Sequence, residues 1–465
     1  MAAPVSCRLC GEESPPGAQY CSNCRSRLSE DNIVTGKAAQ EQRIAQSRSK
    51  RTRRIIILTT TIGLLLLLGT WLAYKNFSAP RFLPSPSSNI TAESISGTWP
   101  MVRGNPAHTG YLDGDGPDLI GQIRWRLDTD SPIFSSPAVV GNHLYLTTGD
   151  KRILALNAVS GDLLWEYNVT GPINSSPAIA AQFLFVGLRD GTIISLDRNT
   201  GEKQWEFETN NPVHSSPAVH KGIVYVSSMD GNLYALDAIT GEERWSYLTG
   251  GRITSDPAIN YEVAAVTSQD LYLYLIDLDT GERRLDFRTT RVGGSPAFHQ
   301  DLMFFIDESG RLMAIDWQQQ ERFFEKTIRR LRTQLFVLGL ANSLPFREIL
   351  VWSTKEPAVN MIGTPAIANE ILYAGSASGT VLAFNEHTGE TLWQFMGAGG
   401  ITTSPSVAGR SVFIGDDEGH LYSLDSLTGD LLWKFTAGSP ISSDPVISND
   451  TLYAVTKGGT LYAIE

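Results

Sequence analysis

Residues 211–249 read NPVHSSPAVHKGIVYVSSMDGNLYALDAITGEERWSYLT. The stretch before it, residues 171–209, reads GPINSSPAIAAQFLFVGLRDGTIISLDRNTGEKQWEFET. The two are copies of one unit. The proline of the Ser-Ser-Pro step stands at Pro137, Pro177, Pro217 and Pro257, forty residues apart, and again at Pro296, Pro365, Pro405 and Pro445. A fixed period of this length marks an array of supersecondary units. Within residues 211–249 four short extended runs are predicted, near 218–219, 223–227, 233–237 and 244–248. Asp230-Gly231 and Thr240-Gly241 part them, because tight turns need φ > 0. Val224 and Val226 alternate with Tyr225, as the two faces of a strand require. Four antiparallel strands at this period predict a propeller blade, and eight prolines predict eight blades.

Tryptophan keeps the same time. Trp125, Trp165, Trp205, Trp245, Trp393 and Trp433 each lie twelve residues before their proline, Trp352 lies thirteen before Pro365, and Leu285 stands eleven before Pro296. A large flat side chain on each outer strand suits packing between neighbouring blades. The last unit stops at Glu465 without a tryptophan strand, whereas residues 121–127, GQIRWRL, form one with no unit before it. That early strand is predicted to complete the last blade and close the ring, leaving no open edge at either end of the array.

The pattern Ala235-x-Asp237-x-x-Thr240-Gly241-x-x-x-Trp245 resembles the tryptophan-docking repeat of PQQ-type quinoprotein propellers, which include non-catalytic envelope-assembly relatives. Residues 99–110, WPMVRGNPAHTG, resemble the lead-in found before such propellers. The resemblance covers 99–465 and implies the fold; one architecture hosts many functions. Its dehydrogenase members hold a quinone with calcium, and many carry a disulfide of adjacent cysteines beside it. Residues 99–465 contain no cysteine, and no calcium-binding carboxylate set or Cys-x-x-Cys-His haem motif is found. PQQ is therefore not expected, and the chain is read as a non-enzyme.

The repeated Asp197, Asp237, Asp277 and Asp425 each stand three residues before a Thr-Gly, where aspartate ordinarily caps the turn backbone. The Ser-Ser-Pro hydroxyls either line the axis or bond the backbone where strands begin, and no base pairs with them. The seven histidines show no metal-ligand spacing. The repeat fails once: Pro296 to Pro365 is 69 residues, with an insertion at about 317–346. There Phe324, Ile328, Leu331, Leu335 and Leu338 lie on one face of a predicted helix (319–341), among Lys326, Arg329, Arg330 and Arg332. Packing on the propeller rim and contact with a membrane or partner are both open for it.

All four cysteines fall at the start, as Cys7-x-x-Cys10 and Cys21-x-x-Cys24. Two such knuckles, ten residues apart, predict a zinc ribbon over 1–30, with the four thiolates as a closed structural Zn2+ set. Residues 31–54 read as a basic cytoplasmic linker. Residues 55–74, IIILTTTIGLLLLLGTWLAY, carry no charge and are predicted to span a membrane. The basic residues of 48–54 place the N-terminus in the cytoplasm and the propeller outside it. Residues 75–98, rich in Ser and Pro, read as an extended spacer.

Net charge is -11 overall, +5 over 1–54 (10 basic, 5 acidic) and hence -16 beyond. An acidic propeller is a poor nucleic-acid binder, so none is expected. The sequence thus predicts a membrane-anchored, non-catalytic scaffold for protein or ligand binding. Envelope or membrane proteins are its expected partners, and envelope assembly is the neighbouring reading.

Overall fold

The computed structural model describes residues 5–10, 12–34, 41, 56–70, 85–92, 97–114, 116–289, 293–319, 331, 334–335, 349–356 and 359–465. The chain divides into two compact units, Met1–Arg81 and Phe82–Glu465.

In the second unit each repeat folds into a four-stranded antiparallel sheet, and eight such sheets are present among the described residues. We number them I to VIII by their innermost strands: Ala138–Val140, Ala178–Ala180, Ala218–His220, Ala258–Ile259, Ala297–His299, Met361–Ala368, Ser406–Ala408 and Val446–Ser448. Strand order in sheets I to VII follows the chain from inside outwards. In sheet II the strands Ala178–Ala180 and Phe183–Gly187 are buried at every residue, while the outer strand Lys203–Glu208 is largely exposed. Stacked sheets explain this gradient: inner strands are covered on both faces and need apolar side chains on both. The pairing of the third and outermost strands carries a register shift at the same place in every sheet, between Ala235 and Leu236 in sheet III. Such a bulge sharpens the local twist that a splayed sheet requires.

The innermost strands touch in series from I to VIII, and VIII touches I. Sheet VIII is completed from far upstream: Ile123–Asp128 pairs antiparallel with Thr460–Ile464, Ala463 opposite Trp125. The expected closing strand is thus in place. This is the architecture of a β-propeller. Loops between the first and second strands share one face with the Thr-Gly turns, as Ala238 N–H donating to the Gly222 carbonyl at 2.9 Å illustrates. Hairpins between the second and third strands share the other face with the connections between sheets, as in Met229 N–H to the Pro212 carbonyl at 3.0 Å.

Tryptophan docking is literal. The indole N–H of Trp165 donates to the Arg198 carbonyl of the next sheet at 2.9 Å, Trp205 to Ala238 at 3.1 Å, Trp245 to Leu278 at 3.0 Å and Trp393 to Ser426 at 2.9 Å. The ring lies on the Thr-Gly glycine. At Gly241 (φ +74°) an added Cβ would stand 2.6 Å from the Trp205 ring, so glycine meets both a backbone and a contact requirement. Leu285 breaks the series, and Trp317 makes it good from the opposite side. Trp317 follows Asp316 as Leu278 follows Asp277, so it stands where the missing indole would dock. It packs fully buried with Leu285, edge-on to Phe298 at 6.2 Å and to Tyr261 at 5.3 Å.

The first unit holds a three-stranded sheet of Val5–Cys7, Glu13–Ser14 and Ile33–Val34, with Val5–Cys7 central, and a helix at 56–70. The expectation of a membrane span is corrected here. The described helix covers ~22 Å at about 1.5 Å per residue, short of the roughly 30 Å hydrocarbon thickness. Among the described residues no helix is long and apolar enough to cross a membrane. The single-pass topology, with its cytoplasmic N-terminus and extracytoplasmic propeller, is therefore withdrawn, and so is membrane contact through 55–74. Trp71 and Tyr74, at the far end of the apolar run, and the basic run 48–54 lie outside the described residues. So does the insertion helix expected at 319–341, apart from Gln319 and three helical positions at 331, 334 and 335.

Candidate functional site

The region most elaborated beyond the repeat is the centre of the ring, where residues 97–112 cross it as a strap. The strap meets the inner strands one after another. Trp99 exchanges both backbone hydrogen bonds with Val139 at 2.8 Å. The amides of Ile179, Ile259, Phe298, Ile367 and Val407 then donate to the carbonyls of Pro100, Pro106, Ala107, Thr109 and Gly110 at 2.6–2.8 Å. Each donor lies two residues after its repeat proline. Sheet III is served from further upstream, by Ala92 N–H to the Val219 carbonyl at 3.1 Å, and sheet VIII by Asn449 N–H to Gly97 at 3.2 Å. Tyr111–Leu112 adds a fifth, parallel strand to sheet VII. Residues 85–92, expected as a free spacer, also lie on the ring: Ser87 N–H donates to the Asp237 carboxylate at 2.8 Å.

Two strap side chains are buried. Arg103 donates to the Pro405 and Pro365 carbonyls at 2.6 and 3.2 Å, with the Asp444 carboxylate 3.6 Å away and its Nε without a partner. His108 donates Nδ1–H to the Pro296 carbonyl at 3.2 Å, and its Nε2 is unpartnered. Burial, with Arg103 nearby, holds the His108 imidazole neutral and lowers its pKa to about 3. The hydrogen bond to the Pro296 carbonyl acts in the opposite direction without offsetting them.

Beside the strap runs a ring built by the residue before each proline. Ser136 N–H donates to Ser176 Oγ at 2.9 Å, Ser176 N–H to Ser216 Oγ at 3.0 Å, Ser216 N–H to Asp256 Oδ1 at 2.5 Å and Asp256 N–H to Ser295 Oγ at 2.9 Å. It continues from Thr364 N–H to Ser404 Oγ at 3.2 Å and from Ser404 N–H to Asp444 Oδ1 at 2.7 Å. Two aspartates thus replace hydroxyls, in sheets IV and VIII. Burial raises the Asp256 pKa to about 6, against the pull of its Ser216 hydrogen bonds, and Asp444 adds to the rise. The preceding hydroxyl clasps its own sheet, as Ser175 does with Gly187 in both directions at 2.8 and 3.0 Å. Both expectations for the Ser-Ser-Pro hydroxyls hold at once: they ring the centre, and backbone groups consume them. The turn aspartates behave as caps. Asp237 Oδ1 accepts the Ile239 and Thr240 amides at 3.0 and 3.1 Å, and Asp197, Asp277 and Asp425 do likewise.

The histidines hold more than their spacing indicates. His299 and His387 flank the buried Glu386 carboxylate, at 2.8 and 3.6 Å, and the Glu386 hydrogen bond raises the His299 pKa. Asp416, fully buried, accepts His420 Nδ1 at 2.9 Å and the Tyr422 hydroxyl at 2.8 Å. His299 and Glu386 come from different sheets, so only the fold reveals that pair, whereas Asp416, His420 and Tyr422 meet within one hairpin.

In the first unit Cys7, Cys10, Cys21 and Cys24 come together, their Sγ atoms all within 4.8 Å of one another. Cys10 and Cys21 stand 3.4 Å apart and Cys7 and Cys24 3.7 Å. Four sulfurs on a tetrahedron with about 2.3 Å metal bonds would stand about 3.8 Å apart, so the donor set fits such an ion. The knuckle turns are shaped for it: Cys7 N–H donates to the Glu12 carbonyl at 3.0 Å, Cys21 N–H to Ser26 at 2.9 Å, and Arg25 takes φ +58°. The Ser26 hydroxyl lies 3.3 Å from Cys7 Sγ and 3.1 Å from Cys24 Sγ. Its hydrogen bond lowers the Cys7 pKa to about 6, towards the thiolate that a metal needs.

Among solved structures, the chain is similar to BamB from Moraxella catarrhalis, at 18% identity over 74% of this chain and 99% of that one, with a TM-score of 0.60. It is similar to the computationally designed Ika8 protein at 17% identity, over 76% and 99%, with a TM-score of 0.60. The quinohemoprotein alcohol dehydrogenase from Comamonas testosteroni matches at 14% identity, over 80% and 81%, with a TM-score of 0.65. At these identities the likeness is one of fold. No curated protein matches the chain. The family model for outer membrane protein assembly factor BamB matches residues 118–326 and 377–465, more than half of the sequence. The chain belongs to that family.

Proposed function

We propose that the eight sheets are the blades of one closed propeller, acting as a non-catalytic scaffold that binds proteins during outer-membrane protein assembly. The carrying observation is the fate of the repeated polar groups. Ser-Ser-Pro hydroxyls such as those of Ser175 and Ser216, turn aspartates such as Asp237 and indoles such as that of Trp205 bond to backbone of their own or the next sheet. What the ring offers outward is two faces of loops, and loops carry recognition. Membership of the assembly-factor family supports envelope proteins as the partners. The four clustered cysteines serve in this reading as a structural zinc site, since four thiolates leave no position for a reacting water. The test is capture: the full chain, immobilised, is incubated with a detergent-solubilised outer-membrane fraction. Selective enrichment of outer-membrane assembly proteins supports the scaffold, and recovery no better than from blank resin contradicts it.

A further inference from the structure

The four cysteines of the first unit are not equally reachable. Cys7 and Cys21, the first of each knuckle, are buried. The amides of Leu9 and Cys10 bond to the sulfur of Cys7, and those of Asn23 and Cys24 to the sulfur of Cys21. Cys10 is half-buried, and Cys24 is exposed. With a metal bound all four sulfurs are thiolates, so access and hydrogen bonding, not protonation, decide which of them reacts. The exposed sulfur is also one that Ser26 reaches: the hydroxyl lies 3.1 Å from Cys24 Sγ and 3.3 Å from Cys7 Sγ. Backbone pairing fixes that hydroxyl in place. The Ser26 carbonyl accepts the Cys21 amide at 2.9 Å, and the next residue, Arg27, forms a β-bridge with Tyr20.

We propose that Cys24 is the point of entry to this centre, the ligand that an electrophile or a competing chelator meets first, and that Ser26 is the positioning residue whose hydroxyl restrains it. The inference rests on the zinc reading of the cysteines. Four thiolates around one divalent cation leave an excess of negative charge on sulfur, which hydrogen-bond donors behind the ligands draw off. Ser26 has one hydroxyl proton and two sulfurs in reach. Its removal acts outwardly on Cys24, because Cys7 is shut off from solvent. The reaction needs no oxidant. The Cys24 thiolate adds to the carbon–carbon double bond of a maleimide; a sulfur–carbon bond forms as the π bond breaks, and the carbanion takes a proton from water. The thioether is a poorer ligand, three thiolates leave an open position, and the ion passes to a chelator. All four cysteines lie within the first 24 residues, so label uptake by the full chain reads this centre alone.

The test treats the zinc-loaded full chain with N-ethylmaleimide in the presence of a chromogenic chelator. Peptide mapping is expected to find the first adduct on Cys24, with zinc release keeping pace. Ser26→Ala is expected to speed both about tenfold, the lower end of what losing a ligand's hydrogen-bond partner costs a metal site. Ser26→Thr keeps the hydroxyl and stays near the wild-type rate. In the cobalt-substituted chain Ser26→Ala moves the sulfur-to-cobalt charge-transfer band to longer wavelength and Ser26→Thr leaves it in place, a shift that loosened packing alone does not give. First adducts spread equally over Cys10 and Cys24, or Ser26→Ala labelled at the wild-type rate, overturn the inference and leave the zinc reading standing. If Ser26→Ala retains no ion, the mapping on the wild type decides. A wild-type chain that retains no zinc overturns the zinc reading and the point of entry with it.

Discussion

Gly121 and Trp433 meet face to face, although one precedes the first sheet and the other belongs to the seventh. An added Cβ at Gly121 would stand 3.0 Å from the indole ring, and Gly121 holds φ +77°. The contact copies the Thr-Gly docking made within the array by Gly241 and Trp205. Here it joins two remote stretches of chain, with Glu465 N–H donating to the Gln122 carbonyl at 2.8 Å to complete the turn. The seam is thus built from the same parts as every other blade junction, without a covalent turn.

Gly121→Ala is expected to destabilise by about 2–4 kcal/mol, summing a left-handed backbone penalty and overpacking. Gly141 offers the control. It has φ +60° and nothing within 4 Å of a built Cβ, so Gly141→Ala should cost only about 1 kcal/mol. Urea unfolding midpoints at equal slope check the difference.

Trp317 and Leu285 should behave as a coupled pair. Trp317→Ala is expected to cost about 3–5 kcal/mol as a buried large-to-small change. Leu285→Trp alone should also destabilise, by overpacking a filled site. The exchanged double variant, Leu285→Trp with Trp317→Leu, should recover stability relative to the sum of its parts, and a double-mutant cycle measures this.

Arg103 pins the strap to sheets VI and VII. Arg103→Met should destabilise by about 3–5 kcal/mol, because Asp444 and two carbonyls lose their donor. Hydrogen exchange should show where: the amides of Ile367 and Val407, bonded to the strap, should lose protection before those of the middle strands.

Two central groups give opposing pH dependences. Asp256 has a folded pKa raised to about 6. Its contribution is fully present below the unfolded value near 3.9 and is lost as pH rises through 6. His108, lowered to about 3, contributes in full above the unfolded value near 6.5, and this is lost as pH falls towards 3. Asp256→Asn should therefore gain stability relative to wild type between pH 4 and 7, by up to about 3 kcal/mol. Denaturation midpoints across that range read the sign.

Metal analysis of the purified full chain should find one zinc per chain. Cys10→Ser and Cys24→Ser should each abolish tight retention, because three thiolates leave an open position. Cys7 should be unreactive to thiol reagents until the ion is chelated.

Much of this was legible in the sequence because the period repeats every cause. Pro137 through Pro445 mark where strands begin, Asp230-Gly231 and Thr240-Gly241 mark turns, and Trp125 standing alone identifies the closing strand. The strap was not legible as a strap. It binds through backbone groups, which residue identity does not disclose, and its residues 97–112 do not repeat. Arg103 and Asp444 are far apart in sequence, as are His299 and Glu386, and nothing local signals either pair. Leu285 was visible as an exception, but Trp317 lay outside the tryptophan period and its compensation appears only in three dimensions. The apolar run 55–74 misled through composition: hydropathy records what could enter a membrane, and the described helix at 56–70 is too short to cross one.

As proposed above, this quinoprotein-like ring binds proteins and turns over nothing. One preparation of the full chain tests it in two parallel readings: dye-linked alcohol oxidation with PQQ and calcium added, and capture of outer-membrane assembly proteins. Selective capture with no quinone-dependent turnover is expected. Saturable, PQQ-dependent alcohol oxidation without capture would contradict it.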